Sequence, residues 1–370
     1  MSKFDSIRPY YDEEVNEVLK TVVADPNVIN AVLSFGGYKV IKKLPFASTI
    51  ISFLLKNKIK NINSINSYQD VFKGIISNVI DNSIDNFTVS GLANIKTNSS
   101  YLFISNHRDI TLDSALLNFI LHGNGFKTTN NAVGNNLMNE KWASDLMRLN
   151  KSFIIDRSDK SKKDIYKSLF LASEYIYDSL IEKNDSIWIA QKQGRSKDGQ
   201  DYTDPSVLKM IHLNGRKQTA ESDYFNLLSV VPVSISYEKD PNDILKAKEL
   251  FTLSSDNEYL KEEREDLKSI ADGVIGQKGN VHLSIGSPLQ FNNDADYEQI
   301  SNVITSEIKS SYKLHSTNIA ACRMQGIDSQ SNDFTEEEIN NSIKYLEDRM
   351  HAIDDDMQKF FLAQYSNPAL

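Results

Sequence analysis

The sequence predicts an α/β domain set between two helical segments, and three observations point there. Between residues 87 and 291, short apolar runs of strand character at 101–104, 152–155, 186–190, 228–235 and 281–286 alternate with stretches of helical apolar spacing. Residues 1–86 and 292–370 carry the helical spacing alone. With 370 residues, 40% of them hydrophobic, and only 15 Gly and 8 Pro, the chain is an ordered globular one able to bury a sizeable core. Three parts are expected: an N-terminal helical subdomain (1–86), the α/β domain (87–291) and a helical C-terminal extension (292–370).

In the first part, Val15, Val18, Leu19, Val22 and Val23 place a helix over 11–23, which Asp25-Pro26 ends. Further helices are expected at 28–33, 40–58 and 68–79. From Phe87 the texture changes: a short strand and turn at 87–91, then the strand 101–104. A helix region is expected over 130–150, followed by the strand at 152–155, a helix at 162–180 and the strand at 186–190. The polar loop 191–203 leads to a helix near 207–213. Residues 228–235 are apolar almost without interruption, as buried strands are. Proline within such a run, here Pro232, suggests an edge or a bulge. The C-terminal extension reads as amphipathic helices at 297–314 and 336–365 around a linker at 324–333.

A formal net charge of -9 argues against a nonspecific nucleic-acid partner. Residues 151–217 run against that balance, with 13 Lys/Arg and 10 Asp/Glu, which suits an anionic substrate or a solvated mixed-charge surface. One cysteine, Cys322, excludes an internal disulfide, and the start Met1-Ser2-Lys3-Phe4 lacks a secretory pattern, so a cytoplasmic location is expected. No apolar run reaches the roughly 18–20 residues of a membrane-spanning helix. The nearest, 44–55, is flanked by Lys42, Lys43 and Lys56 and reads as a core helix or as a segment lying in a membrane interface.

The densest chemical feature is the junction between the strand at 101–104 and the helix after it, where Asn106, His107, Arg108, Asp109 and Asp113 crowd together. In open α/β sheets, ligand sites form at the carboxyl ends of strands. His107-Arg108-Asp109 differs from a kinase catalytic loop, because Ser114 stands where an asparagine is needed and neither a Gly-rich loop nor Asp-Phe-Gly occurs. Nor is there a Gly-x-Ser-x-Gly elbow, a metal-ligand cluster or a nucleotide fingerprint.

Four blocks, in order, resemble the glycerol-phosphate and lysophospholipid acyltransferases. The first is Asn106-His107 with Asp113; the family pattern has four residues between His and Asp, and here there are five, with Leu112 at the expected aspartate position. Either a bulge restores the pairing with Asp113, or Asp109 takes the role; Asp109 also reads as the N-cap of the following helix. The second block is Phe153-Ile154-Ile155-Asp156-Arg157, with Asp156 in place of the family's first arginine. The third is Ile187-Trp188-Ile189-Ala190 followed by Gln191-Lys192-Gln193-Gly194-Arg195-Ser196-Lys197, where Gln193 or Lys192 replaces the family's glutamate. The fourth is Val230-Val231-Pro232-Val233-Ser234-Ile235-Ser236-Tyr237, similar to the family's apolar strand with an internal proline.

The resemblance implies a central mixed sheet flanked by helices, the acyltransferase fold. It implies acyl transfer from acyl-CoA or acyl-carrier protein (ACP) to the hydroxyl of a glycerol-phosphate or lysophospholipid, with His107 as general base and Asp113 or Asp109 orienting it. Arg157, Arg195 and Lys197 would bind the substrate phosphate, with Asn106, Gln193 and Gly194 supporting the motifs. No cofactor and no metal is implied, and a peripheral place on the inner membrane face is. The absent glutamate and the stretched His-to-Asp spacing support a second reading, a lipid- or acyl-CoA-binding protein of the same fold with impaired catalysis.

Overall fold

The computed structural model describes residues 2–35, 46–135, 140–157, 161–256, 258–262, 264–329 and 333–370. In chain order these form α1 (Asp12–Ala24), α2 (Pro26–Phe35), α3 (Ala47–Ile59), α4 (Ile65–Ser83), β1 (Asn86–Ser90), β2 (Leu102–Ser105), α5 (Leu112–Gly123) and β3 (Asn130–Gly134). Next come α6 (Lys141–Leu149), β4 (Ser152–Ile155), α7 (Lys162–Tyr177), β5 (Ile187–Ala190), α8 (Pro205–Ile211), α9 (Glu221–Leu227) and β6 (Val230–Tyr237). The chain continues through α10 (Asp243–Asp256), α11 (Glu265–Ile275), β7 (Asn280–Ile285), α12 (Tyr297–Ser310), α13 (Ser316–Met324), α14 (Glu336–Met350) and α15 (Asp355–Ser366). Two compact units result, one of residues 1–75 with 130–175, the other of 76–129 with 176–370.

In the first unit, Val15, Leu19 and Val23 of α1 pack with Ile59, Ile62, Tyr68 and Leu149, the apolar stripe that the spacing of α1 anticipates. A smaller cluster joins Ile29 and Leu33 to Ile51. β3 and β4 pair in parallel, Asn131 opposite Ser152. This corrects the helix expected over 130–150: its first five residues are a strand, the helix proper is α6, and 136–139 lie outside the described residues. Of the helix expected over 40–58, residues 40–45 likewise lie outside them.

In the second unit, five strands lie in the order β1-β7-β6-β2-β5. β6 meets β7 antiparallel and the other pairs are parallel, so the sheet is mixed, and helices flank it. Every residue of β6 is buried because neighbours cover both its edges. Pro232 is tolerated in this interior strand because pairing with β7 begins only at Val233. The ring thus removes an N–H at the ladder's end, while its carbonyl still accepts from the Gly286 amide at 2.8 Å.

The C-terminal helices surround a separate cluster of Ile319, Ala320, Ala321, Ile339, Leu346, Phe361 and Tyr365. The single helix expected over 336–365 is two, α14 and α15, broken at 351–354. Thr335 and Glu338 form a reciprocal capping box at the start of α14, and Asp296 and Gln299 do the same for α12. Among the described residues, no helix is long and apolar enough to cross a membrane.

Candidate active site

β2 ends at Ser105, and residues 106–111 turn without helical structure before α5 begins at Leu112. The turn lies between two parallel neighbours, so β5 and β6 end beside it. Asn106 is fully buried and fastens the turn to β6: its Oδ1 accepts from the Ile235 amide at 2.8 Å and its Nδ2 donates to the Ile235 carbonyl at 3.0 Å. A buried amide side chain is stabilising only when paired in this way.

The turn absorbs the extra residue between His107 and Asp113. Asp113, in the first turn of α5, places Oδ2 2.8 Å from His107 Nδ1. The same oxygen accepts from the amides of Arg108 at 2.6 Å and Asp109 at 3.0 Å, and Oδ1 accepts from the Tyr237 hydroxyl at 2.9 Å. A carboxylate that is 3% exposed is thereby supplied with four donors, which offset its loss of water. Asp109 points elsewhere. Its Oδ1 accepts from the amides of Thr111 at 2.9 Å and Leu112 at 2.8 Å just ahead of α5, whose N-cap is Thr111 rather than the Asp109 expected, and burial followed by the adjacent Asp113 charge pushes its carboxyl above the usual range.

The imidazole of His107 stands edge-on to Trp188 of β5, centroids 5.8 Å apart, and the indole N–H donates to Ser105 at 3.0 Å. The His107 side chain keeps 15% of its surface exposed, and among the described residues no hydrogen bond occupies its Nε2. With Nδ1–H directed at a carboxylate, Nε2 is the basic nitrogen. The arrangement can therefore accept a proton at one ring nitrogen while the carboxylate at the other stabilises the charge.

The loop after β5 docks on the turn: the Ser196 amide donates to the His107 carbonyl at 2.7 Å. Gly194 lies at its tip with φ +78°, a conformation that favours glycine, and open space where a Cβ would stand, and Gln193 beside it is exposed. Arg195 is half-buried and donates to Ser269 of α11 at 2.7 Å, and Ser269 in turn donates to Asn242 at 2.7 Å. Lys197 pairs with Glu249 of α10 at 2.7 Å. Lys192 donates to the Gln200 carbonyl at 3.0 Å, and burial lowers its ammonium pKa. Farther along, Asn367 donates to the Asp198 carbonyl at 2.6 Å, and Gly199, at φ +75°, lies so close to the Gln364 carbonyl that a Cβ would come within 2.5 Å of it.

Beneath the turn lies a layer of buried charge. Arg108 donates to Asp201 at 2.6 Å, and Asp201 also accepts from Asn106 at 3.0 Å. Lys246 is buried against Asp240 and donates to the Arg108 carbonyl at 2.7 Å. Burial pushes Asp240 up, but the charge and hydrogen bond of Lys246 outweigh it and hold the carboxyl below its ordinary range. Gly273 of α11 closes the site over Asp109, where a Cβ would stand 2.2 Å from Oδ2.

Of the expected site residues, the second unit brings together Asn106, His107, Asp109, Asp113, Gln193, Gly194, Arg195 and Lys197. Arg157 belongs to the first unit. It follows β4, half-buried, next to Asp156, which accepts from Asn135 at 2.9 Å. Asp201, Tyr237, Ser269 and Gly273 were not singled out in the sequence. Only Tyr237, closing the fourth block, stood within a motif. The described residues hold no group of three or more metal-ligating side chains.

Comparison with known proteins gives three results. The family model described as "Acyltransferase" matches residues 86–217. No curated protein matches the chain. Among solved structures, a 1-acyl-sn-glycerophosphate (LPA) acyltransferase, PlsC, from Thermotoga maritima is similar at TM-score 0.40 and 14% identity, over 81% of this chain and 95% of that one. The family match runs from β1 past α8 and takes in His107, Asp113 and Asp109. Residues 86–217 thus carry a match to the acyltransferase family, over about a third of the chain.

Proposed function

We propose that the protein moves an acyl group from a thioester, acyl-CoA or acyl-ACP, onto the hydroxyl of a glycerol-phosphate or a lysophospholipid. The observation that carries this reading is the imidazole of His107, with Nδ1 on a fully bonded Asp113 and Nε2 left without a hydrogen bond among the described residues. An alcohol with a pKa far above 7 is a poor nucleophile until a base lies within hydrogen-bond reach. Nε2 takes the hydroxyl proton as the oxygen attacks the thioester carbonyl. The tetrahedral intermediate then collapses, the C–S bond breaks, and the imidazolium returns the proton to the departing thiolate. Asp113 holds the tautomer and balances the transient charge. Neither step calls on a metal or redox cofactor.

Arg195 is the main phosphate ligand in this reading. One guanidinium nitrogen is fixed by Ser269, which orients the fork for a bidentate anion contact. Lys197 contributes less, because Glu249 competes for it.

Peripheral attachment to an anionic lipid surface follows from a lipid product. In α3 and the residues on either side of it, Phe46 and Phe53 are 79% and 64% exposed, and Lys56, Lys58 and Lys60 are exposed too. Ile51, by contrast, is wholly buried with Ile29 and Leu33, so the inserting residues are the two phenylalanines and the basic residues sit at the headgroups. Phe46→Glu with Phe53→Glu should abolish co-sedimentation with phosphatidylglycerol vesicles and leave turnover of soluble substrates intact. Unchanged vesicle binding removes this surface from the reading.

The direct test of the chemistry is thiol release with glycerol-3-phosphate and lysophosphatidic acid as acceptors. His107→Ala should lower the rate about 10³-fold. Activity that survives the substitution overturns the mechanism, and saturable acyl-CoA binding with no turnover on any acceptor favours a binding protein instead.

A further inference from the structure

The carboxylate behind His107 has a partner that no sequence motif assigned. Asp113 Oδ2 is occupied by the imidazole and two amides, and Oδ1 is held by the hydroxyl of Tyr237 at 2.9 Å. Tyr237 is the last residue of β6, opposite Val281 of β7. The β2–β6 register ends at Ser105 opposite Val233, so β6 runs four residues beyond the end of β2 and delivers Tyr237 to the level of the turn. We propose that Tyr237 is a positioning residue for the acyl transfer, its hydroxyl fixing the rotation of the Asp113 carboxylate and setting how strongly that carboxylate draws a proton onto His107.

Two features support a donor role rather than simple packing. Tyr237 is buried, and burial, followed by the charges of Asp113 and Asp109, holds its hydroxyl well above the usual phenol range. The group therefore stays protonated and can only donate to Asp113. Its ring also lines a cavity of about 20 Å³ with Arg108, Ser196, Asp240 and Tyr312. Apart from His107 itself, the ionisable groups around the Asp113–Tyr237 pair are Asp109 and Arg108 from the turn, Arg195 and Asp201 from the β5 loop, Asp240 and Lys246 after β6, and Tyr312 after α12. None of these reaches Asp113 Oδ1 by a hydrogen bond among the described residues, so the Tyr237 hydroxyl is its one side-chain donor there.

The proposal rests on the acyl-transfer reading, and its test keeps the two apart. Tyr237→Phe removes only the hydroxyl. A carboxylate with one donor fewer attracts the imidazole proton more strongly, so the pH at which His107 loses its proton should rise by about half a unit or more, read from ¹⁵N-histidine NMR without substrate. The acidic limb of the pH–kcat profile should move the same way, with kcat about tenfold lower and KM nearly unchanged. Tyr237→3-fluorotyrosine, a stronger donor of almost the same size, should move both midpoints to lower pH; it also serves if the phenylalanine variant fails to fold. Midpoints that stay put in the fluorinated protein, or in a folded Tyr237→Phe, overturn the role of Tyr237 whether or not the protein transfers acyl groups. Shifted NMR midpoints in a protein without acyl transfer uphold the role and sink the reaction.

Discussion

The turn that carries His107 and the loop that carries Arg195 follow neighbouring strands, β2 and β5, yet they are built in opposite ways. In the turn, backbone amides do the holding: two of them grip Asp113 Oδ2 and two more grip Asp109 Oδ1. In the loop, the two cations read as phosphate ligands are held by side chains, Arg195 by Ser269 and Lys197 by Glu249, and the tip is a glycine where an added Cβ would meet nothing within 4 Å. A base has to meet its orienting carboxylate within a few tenths of an ångström, and backbone donors give that fixity. If the loop's cations bind a phosphate as proposed, ligands for substrates of differing size gain from partners that can be exchanged.

This contrast is broken most sharply at Asp113. Asp113→Asn replaces an acceptor with an amide of the same shape, reverses the preferred imidazole tautomer, and should lower kcat about 10²-fold with little change in KM. A loss of less than threefold would show that the turn's fixity is not what the chemistry uses.

On the loop side, Arg195→Ala should raise KM for a phosphate-bearing acceptor about tenfold and leave kcat within threefold, whereas Lys197→Ala should change KM by about twofold. Steady-state titration of the acceptor at fixed acyl thioester measures both. If Lys197→Ala proves the more damaging, the Glu249 pair is part of the anion site rather than a competitor.

The smallest effect is expected at Asp109, and it separates the two aspartates. An asparagine side-chain oxygen can accept the same bonds from the Thr111 and Leu112 amides, so Asp109→Asn should keep activity within threefold. Its pH dependence carries a sign. A carboxyl whose folded pKa is raised binds its proton more tightly in the folded state, so its contribution is full below the ordinary aspartate range and falls as pH climbs toward the raised value. Asp109→Asn lacks that loss, and urea unfolding from pH 4 to 8 should show a flatter stability curve than wild type. A large drop in activity from this folded variant would make Asp109 the partner of His107 after all.

The strands of the α/β part were legible wherever an apolar run stood between polar turns. β3 escaped because Asn130-Asn131 opens it, and buried asparagines give no strand signal; Asn131 is accommodated by donating to the Asn150 carbonyl at 3.2 Å. α13 was unforeseen for the opposite reason. From Ser316 to Cys322 it is buried on every side, so it has no polar face to mark a helical period. In the site, His107 and both aspartates could be read from seven consecutive residues, 107–113. The choice between the aspartates could not, because it depends on a turn whose amides converge on Asp113 and on Tyr237, 124 positions away. Arg195 was legible as a cation after a strand, but its anchor on α11 was not, since no pattern in 265–275 announces a serine and a glycine facing the site.

The contact between Asn367 and the Asp198 carbonyl spans 169 positions of chain. At roughly 5–20 residues per second of synthesis, the loop bearing Arg195 emerges about 10–30 s before the segment that braces it. Through that interval β2, β5 and β6 can already be paired, while the loop still lacks the Gln364 backbone against which Gly199 packs. A ribosome-bound fragment ending before α15 would thus carry the histidine, its aspartate and the Ser269 partner of Arg195 while Gly199 and Asp198 still lack the backbone and the Asn367 amide they meet in the full chain.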